Sequence, residues 1–552
     1  MTDSVPPAPG PRRALSPGME ALLIAGLVMV VYRLSSLADA VLVGALNDDG
    51  VYAVLGRAIA NGDGYRSIHL VGAPVQVKYP PGFPVILALL WKVGGSIETV
   101  QQLVGWLHPI VVGATAGLLW WTGRVRCRAP SGPLVLLVLM PLLLDSSIQY
   151  YTIVLSEPWY MLGWAAALAA WWAAGTSEPG RRRMILLMAT GLLVSATTLV
   201  RTQGIVLVPA LTVGLFLGSY SRLERGAALA CMLVPLGLWH FYHAALIAQG
   251  PVAMLPDEGP YLEWVPADGA RAVRSLLTAA ARNGIEYPSQ LGLYLCGITA
   301  LGRGAAALLI LGAMAGTLGV VRRDPVLGLS GFAGLVVVLL WPFTQDRLLL
   351  SVLPFGGLAL GEIVGPVMRR WGPSRARALS AALVLLSAAV FVRQFQLRSE
   401  LLIAFRENRP TTASPALAVL IRNSRFIALA AKWVRQHTKP SDRLLADVHA
   451  GIYLYTGRVT VPASPSESHL RASVFAVPGR YLATHILNDS LDYLIVGRPE
   501  SDIFRDANTV FKRCPGLLTL KNSSGEDPGF LFQVRRDDAC LQTFIAQGSA
   551  GP

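Results

Sequence analysis

Through residue 392 the chain alternates long apolar runs with short polar connections. Crossing a bilayer core of about 30 Å takes roughly 17 to 25 apolar residues in a helix. Runs near that length fall at Met19–Val41, Glu98–Trp121, Leu134–Leu144 with its flanks, Leu155–Trp172, Met184–Val200 and Gly204–Leu217. Others follow at Ala227–Ile247, Ala305–Val321, Val326–Phe343, Leu348–Val367 and Ala378–Val392, so the pattern predicts about eleven transmembrane helices. Beyond Arg393 the period changes. Phe426–His437 spaces its apolar residues as an amphipathic helix, and Arg443–Val448, Asp492–Val496, Leu517–Leu520 and Phe530–Val534 read as strands. The fold class expected is therefore a polytopic α-helical membrane protein over residues 1–392, followed by a small C-terminal α/β domain over 393–552.

Charge adds an orientation. The 552 residues are 53% hydrophobic and only 14% charged, with a formal net charge of +14. A basic balance can signal nucleic acid, but here the arginines gather in short clusters between apolar runs, as the positive-inside rule requires. No nucleic-acid partner is expected. An inside N-terminus puts Arg12 and Arg13, Arg124 to Arg128, Arg181 to Arg183, Arg222 and Arg225, Arg322 and Arg323, and Arg369 to Arg377 on the cytoplasmic side together. The same parity leaves the C-terminal domain and the first loop, residues 43–97, extracytoplasmic. The Pro-rich N-terminus carries no small-residue cleavage site after an apolar core, so the first run reads as a retained span rather than a signal peptide. A multi-pass protein of the cell (inner) membrane follows. On its outer side, Arg201 and Arg347 are exceptions to the charge rule, and Gly250–Arg303 forms a second long connection.

The first loop concentrates polar chemistry in an otherwise apolar chain. It opens on Asp48 and Asp49, continues with Tyr52, Leu55 and Ile59 at helical spacing, and closes on Lys78-Tyr79-Pro80-Pro81. The spacing predicts a short amphipathic helix lying on the membrane surface. The paired prolines predict an extended approach that re-enters the bilayer at Phe83. These residues resemble the polyprenyl-phosphate-dependent glycosyltransferases of the C-type superfamily, which includes protein O-mannosyltransferases and lipid A aminoarabinose transferases. Asp48-Asp49-Gly50-Val51-Tyr52-Ala53 matches that group's Asp-acidic-x-x-Tyr-Ala pattern, and Lys78-Tyr79-Pro80-Pro81 matches its Lys-Pro-Pro turn with one extra residue. Arg201-Thr202-Gln203-Gly204 with Pro209 stands where the group has a Thr-Lys-Gly-like motif. Pro342, Arg347 and Pro354 stand where it has Pro, Arg-aromatic and Pro, with Leu348 in the aromatic position.

The resemblance implies an inverting transfer of a sugar from a polyprenyl-phosphate donor to a lipid, glycan or protein acceptor outside the cytoplasm. Such a reaction needs one base to take the acceptor's proton, and cations for the leaving phosphate more than a general acid. Asp48 is the base by this carry-over, with Asp49 orienting it or holding a divalent cation; no cofactor is otherwise called for. Lys78, Tyr79, Arg201 and Arg347 are the phosphate-binding candidates, and Tyr52 and Glu157 are further site candidates. Plain alternatives stand beside each assignment. Asp48 or Asp49 could cap the helix, the two arginines could snorkel to headgroups, and Lys78 could be an ordinary interfacial lysine. Glu157 could be a helix-start charge or a site residue. His240 and His243 read as interfacial aromatics rather than metal ligands. Cys127, Cys231 and Cys296 read as buried thiols, while Cys514 and Cys540 flank the last two strands and could form a disulfide. No phosphate-cradling glycine loop, zinc spacing or nucleophile elbow occurs. The competing readings are a secondary transporter and an envelope assembly protein.

Overall fold

The computed structural model describes residues 15–37, 40–126, 130–250, 269–296, 299–342, 344–406, 415–462, 479–497, 502–522, 529–535 and 538–548. Arg12, Arg13, Arg128, Cys127 and residues 251–268 and 297–298 of the second long connection lie outside them, as does the side chain of Cys296. Helix α1 (Pro17–Leu34) begins where the Ser16 hydroxyl accepts from Met19 N at 3.3 Å. The connection after it folds into two helices, α2 (Asp48–Asn61) and α3 (Gly82–Gly94), ahead of the long α4 (Ile97–Val125). Next come α5 (Ser131–Leu143) and α6 (Asp145–Tyr151), bent 51° from each other. The bundle continues with α7 (Glu157–Gly175), α8 (Arg181–Val200), α9 (Thr202–Leu217), α10 (Arg222–Ala248), α11 (Gly269–Cys296), α12 (Thr299–Val320), α13 (Pro325–Leu340), α14 (Asp346–Arg370) and α15 (Pro373–Arg406).

Each predicted apolar run overlaps one of these helices, although the first, expected to reach Val41, ends as helix at Leu34. By length and apolarity alone, seven helices among the described residues suffice to cross a membrane, or eight if α5 and α6 make one span; α3, α9 and α13 are shorter apolar helices. Residues 269–296, expected as loop, form the 28-residue α11. Its apolar residues are spread on one face among arginines and a proline, a pattern that a search for uninterrupted apolar runs passes over. Helix α15 continues without a break through residue 393, where the composition changes.

Close packing is visible where α14 meets α5. Residues Val135–Leu139 form a π turn, and Pro141 has no N–H to offer the carbonyl of Leu137. That carbonyl faces Gly357 of α14, where a Cβ would meet it at 1.9 Å. Only glycine admits this approach. Nearby, Trp164 of α7 stacks on Phe355 of α14 with centroids 3.9 Å apart, which joins two helices that both begin at the site.

The C-terminal part contains α16 (Pro415–His437), β1 (Leu444–Ala446), α17 (His449–Thr456), β2 (Thr460–Pro462), α18 (Arg480–Asp489), β3 (Tyr493–Val496), α19 (Asp502–Arg513), β4 (Leu518–Asn522), β5 (Phe530–Val534) and α20 (Asp538–Gly548). The strands form one sheet in the order β2-β1-β3-β5-β4, with β1 parallel to both neighbours and β5 antiparallel to both of its own. The strand period places Leu445 and Leu494 against α18, α19 and α20, and Leu444, Ala446 and Ile495 against α16. Strand β2 has three residues and ends in Pro462, too little for its sequence to announce it. Cys514 and Cys540 are disulfide-bonded beside the β4–β5 hairpin, with Cα atoms 6.0 Å apart. Cys231 is a half-buried free thiol, not a fully buried one.

This sheet domain rests on the first loop. Gly44 adopts φ +99°, and a Cβ there would lie 2.4 Å from Gly451 Cα. Gly50 likewise abuts Ala450. With α17 on one side and α3 on the other, α2 is buried almost all round rather than lying on a membrane surface as its spacing suggested. The sequence showed a polar and an apolar face, but the partner that covers the polar one comes from the far end of the chain.

Candidate active site

Four helix starts meet at one end of the bundle. Asp48 opens α2, Glu157 opens α7, Arg201 is the extended residue between α8 and α9, and Arg347 lies in the first turn of α14. At Arg201 the backbone leaves the helix with φ −151°, and the turn that follows is 3-10, which releases the guanidinium from the α8 surface. Asn47 holds φ +75°, uncommon for a residue with a side chain, so the chain enters α2 through a sharp turn that sets the direction of Asp48.

The charges form a continuous line. Arg347 Nη2 donates to Asp48 Oδ2. Arg347 Nε lies 3.6 Å from Glu157 Oε1, and Arg201 Nη1 lies 3.1 Å from Glu157 Oε2. The Glu157 side chain is fully buried between the two arginines at a helix N-terminus. Tyr79 OH donates to Asp48 Oδ1 at 2.7 Å, and Lys78 Nζ lies 5.6 Å from the Tyr79 ring centre. Tyr52 packs edge-on against Tyr79 and Phe83, and its hydroxyl is 3.3 Å from Ser156 Oγ. Ser156 also accepts from Arg201 Nη1 at 2.9 Å, and Gln203 accepts from Arg201 Nε at 2.8 Å. Gln345 accepts from Arg347 Nε at 3.3 Å. Ser156, Gln203 and Gln345 escaped the sequence reading of roles, and the signal was that each lies within two residues of a flagged charge.

The two aspartates differ. Burial works against the charge on Asp48, but Arg347 and Lys78 and the Tyr79 hydrogen bond outweigh it and hold the carboxyl down to about 2. Its side chain keeps 25% exposure, so it faces an opening. Asp49 is turned the other way. Its oxygens accept from Gly44 N at 2.8 Å and Leu46 N at 3.1 Å, fixing the turn that docks on Gly451. Burial pushes its carboxyl up to about 7, with Asp48 adding to the shift and the backbone N–H groups opposing it. The N-cap position of α2 is Asn47, whose side chain makes no capping hydrogen bond.

Other candidates fall elsewhere. His243 Nε2 lies 2.8 Å from Gln76 O and stacks on Trp239, which ties α10 to the first loop; His240 is exposed. Among the described residues, no group of three or more His, Cys, Asp or Glu side chains is arranged to hold a metal ion.

No family model and no curated protein matches the chain. Solved structures do. ArnT from Cupriavidus metallidurans in the apo state is similar over 97% of this chain and 99% of its own, at 14% identity and a TM-score of 0.55. The same protein bound to undecaprenyl phosphate is similar over 97% and 100%, at 14% identity and a TM-score of 0.53. The archaeal oligosaccharyltransferase AglB from Archaeoglobus fulgidus, in complex with an inhibitory peptide and a dolichol-phosphate, is similar over 87% of this chain and 69% of its own, at 11% identity and a TM-score of 0.50. The resemblance drawn from the loop motifs is met at the level of fold: the chain is built as these membrane glycosyltransferases are.

Proposed function

We propose that the chain is an inverting glycosyltransferase that moves a sugar from a polyprenyl-phosphate donor to an acceptor hydroxyl or other nucleophile on the extracytoplasmic side of the membrane. The observation that carries this is the line Asp48, Arg347, Glu157, Arg201, in which one partly open carboxylate stands beside buried guanidiniums. Asp48 accepts the acceptor's proton as the acceptor oxygen attacks the anomeric carbon. The bond from that carbon to the phosphate oxygen breaks with its electron pair going to the phosphate, and configuration inverts. Arg201, Arg347 and Lys78 receive the charge that develops on the leaving phosphate, in surroundings where cations act strongly. Arg347 Nη1 is buried with no hydrogen-bond partner among the described residues, which leaves a donor for a phosphate oxygen.

A carboxyl held at about 2 is a weak base. The donor corrects this by binding. Its phosphate competes for Arg347 and Lys78, and a loosened clamp raises the proton affinity of Asp48 as the substrate arrives. Asp49, locked on backbone N–H groups, positions the turn and takes no proton from substrate. We read the eleven apolar runs as spans, residues 1–392 as the transferase unit and 393–552 as a domain on the site's side, and the Cys514–Cys540 bridge supports an oxidising compartment for it. The test is purified protein in a defined lipid mixture with lipid-linked sugars. Consumption of one such donor with release of polyprenyl phosphate is expected; use of nucleotide sugars with every lipid-linked donor untouched would overturn the reading.

A further inference from the structure

Helix α7 carries Glu157 of the site at its first residue and ends at Gly175, about 27 Å away at 1.5 Å per residue. Around that far end, at the opposite face of the bundle, is a cavity of about 420 Å³. Arg126 from the end of α4 and Arg322 and Arg323 from the α12–α13 turn line it, with Trp172, Tyr220 and Asp324. Among the described residues none of the three guanidiniums has a hydrogen-bond or ion-pair partner. The carboxylate in the wall, Asp324, accepts from Trp172 Nε1 and Leu327 N and also feels the charge of Arg126. Glu362 of α14 feels Arg126 and Arg323 from behind but does not line the space. Gly175 leaves open space in the wall, whereas Gly214 and Gly218 admit the close approach of Val326, Trp171 and Tyr220, and Trp171 and Trp172 supply indole surface of the sort found at membrane interfaces. This is a basic, aromatic-walled pocket whose arginines make no hydrogen bond among the described residues, and, with α7 read as a span, it lies at the opposite membrane face from the candidate active site.

We infer that this pocket binds a phosphate-bearing anion presented at that membrane face, held by Arg126, Arg322 and Arg323 through charge-assisted hydrogen bonds. The anion's source is either a phospholipid headgroup or a soluble phosphate. The inference is independent of the proposed transfer reaction, since it shares no residue with that site. The test uses the full chain in phosphatidylcholine nanodiscs, supplied with phosphatidylglycerol or inorganic phosphate, with retained ligand counted by native mass spectrometry. Two variants act differently: Arg322→Ala with Arg323→Ala removes charge, while Gly175→Leu fills the space, where a new Cβ would meet only Tyr220 OH at 3.7 Å. Thermal unfolding of each reports whether it folds. The wild type should retain phosphatidylglycerol above phosphatidylcholine, and each variant should cut that retention about tenfold or more. Retention of inorganic phosphate alone, lost in the same variants, supports the site with a soluble source. Equal retention by the wild type and Gly175→Leu would overturn the inference, because diffuse surface charge needs no pocket.

Discussion

Adjacent residues on a helix point about 100° apart, and this phase separates Asp48 from Asp49. One faces the arginines and the opening, and the other faces the backbone of its own entry turn. A pH dependence follows from Asp49. Its folded carboxyl sits at about 7, above an unfolded value of about 4, so the folded state binds the proton more tightly. That contribution is fully present below about pH 4 and is lost as pH rises through 7; between pH 5 and 8 it amounts to roughly 3 kcal/mol. Asp48 has the opposite sign, stabilising above about pH 4 and losing that contribution as pH falls toward 2. Thermal unfolding of the wild type should therefore weaken from pH 5 to pH 8, and Asp49→Asn should flatten the curve. An unchanged slope in the variant would remove Asp49 as its source. The sequence made the charged residues legible because so apolar a chain has few, and because Arg201 and Arg347 broke the positive-inside rule. It left Glu157 ambiguous, since a helix-start carboxylate and a buried partner of two arginines read alike until distant helices close around it.

At the scale of elements, apolar runs announced most helices of the bundle but not α3, which falls inside the expected first loop, and alternation announced four of the five strands. What stayed hidden depended on partners: α11, whose apolar face is interrupted, β2, which is three residues long, and the burial of α2 beneath α17. That last contact is testable. Gly44→Ala places a methyl where Gly451 Cα already sits 2.4 Å away and forces a side chain onto φ +99°. The substitution should cost about 2–4 kcal/mol and loosen the C-terminal domain from the first loop. Limited proteolysis that releases the C-terminal domain should then quicken several-fold. Wild-type cutting rates with unchanged thermal stability would mean that the contact holds nothing together.

For the whole molecule, the reading places the candidate site on the extracytoplasmic side and the arginine clusters on the other. Impermeant labelling of single cysteines in a background without native thiols should reach positions 63 and 72 in the first loop of intact cells and miss position 182. Labelling at 182 from outside would reverse the orientation. The chemistry is tested most directly by one comparison: turnover of lipid-linked sugar by purified wild type, Asp48→Asn and Asp49→Asn in the same membrane. Asparagine keeps the shape of Asp48 and its hydrogen bond from Tyr79 but cannot take a proton. The account predicts that Asp48→Asn folds and binds donor yet loses about 100-fold or more in kcat, while Asp49→Asn keeps kcat within about threefold. Near-normal transfer by Asp48→Asn, with or without loss in Asp49→Asn, would contradict it.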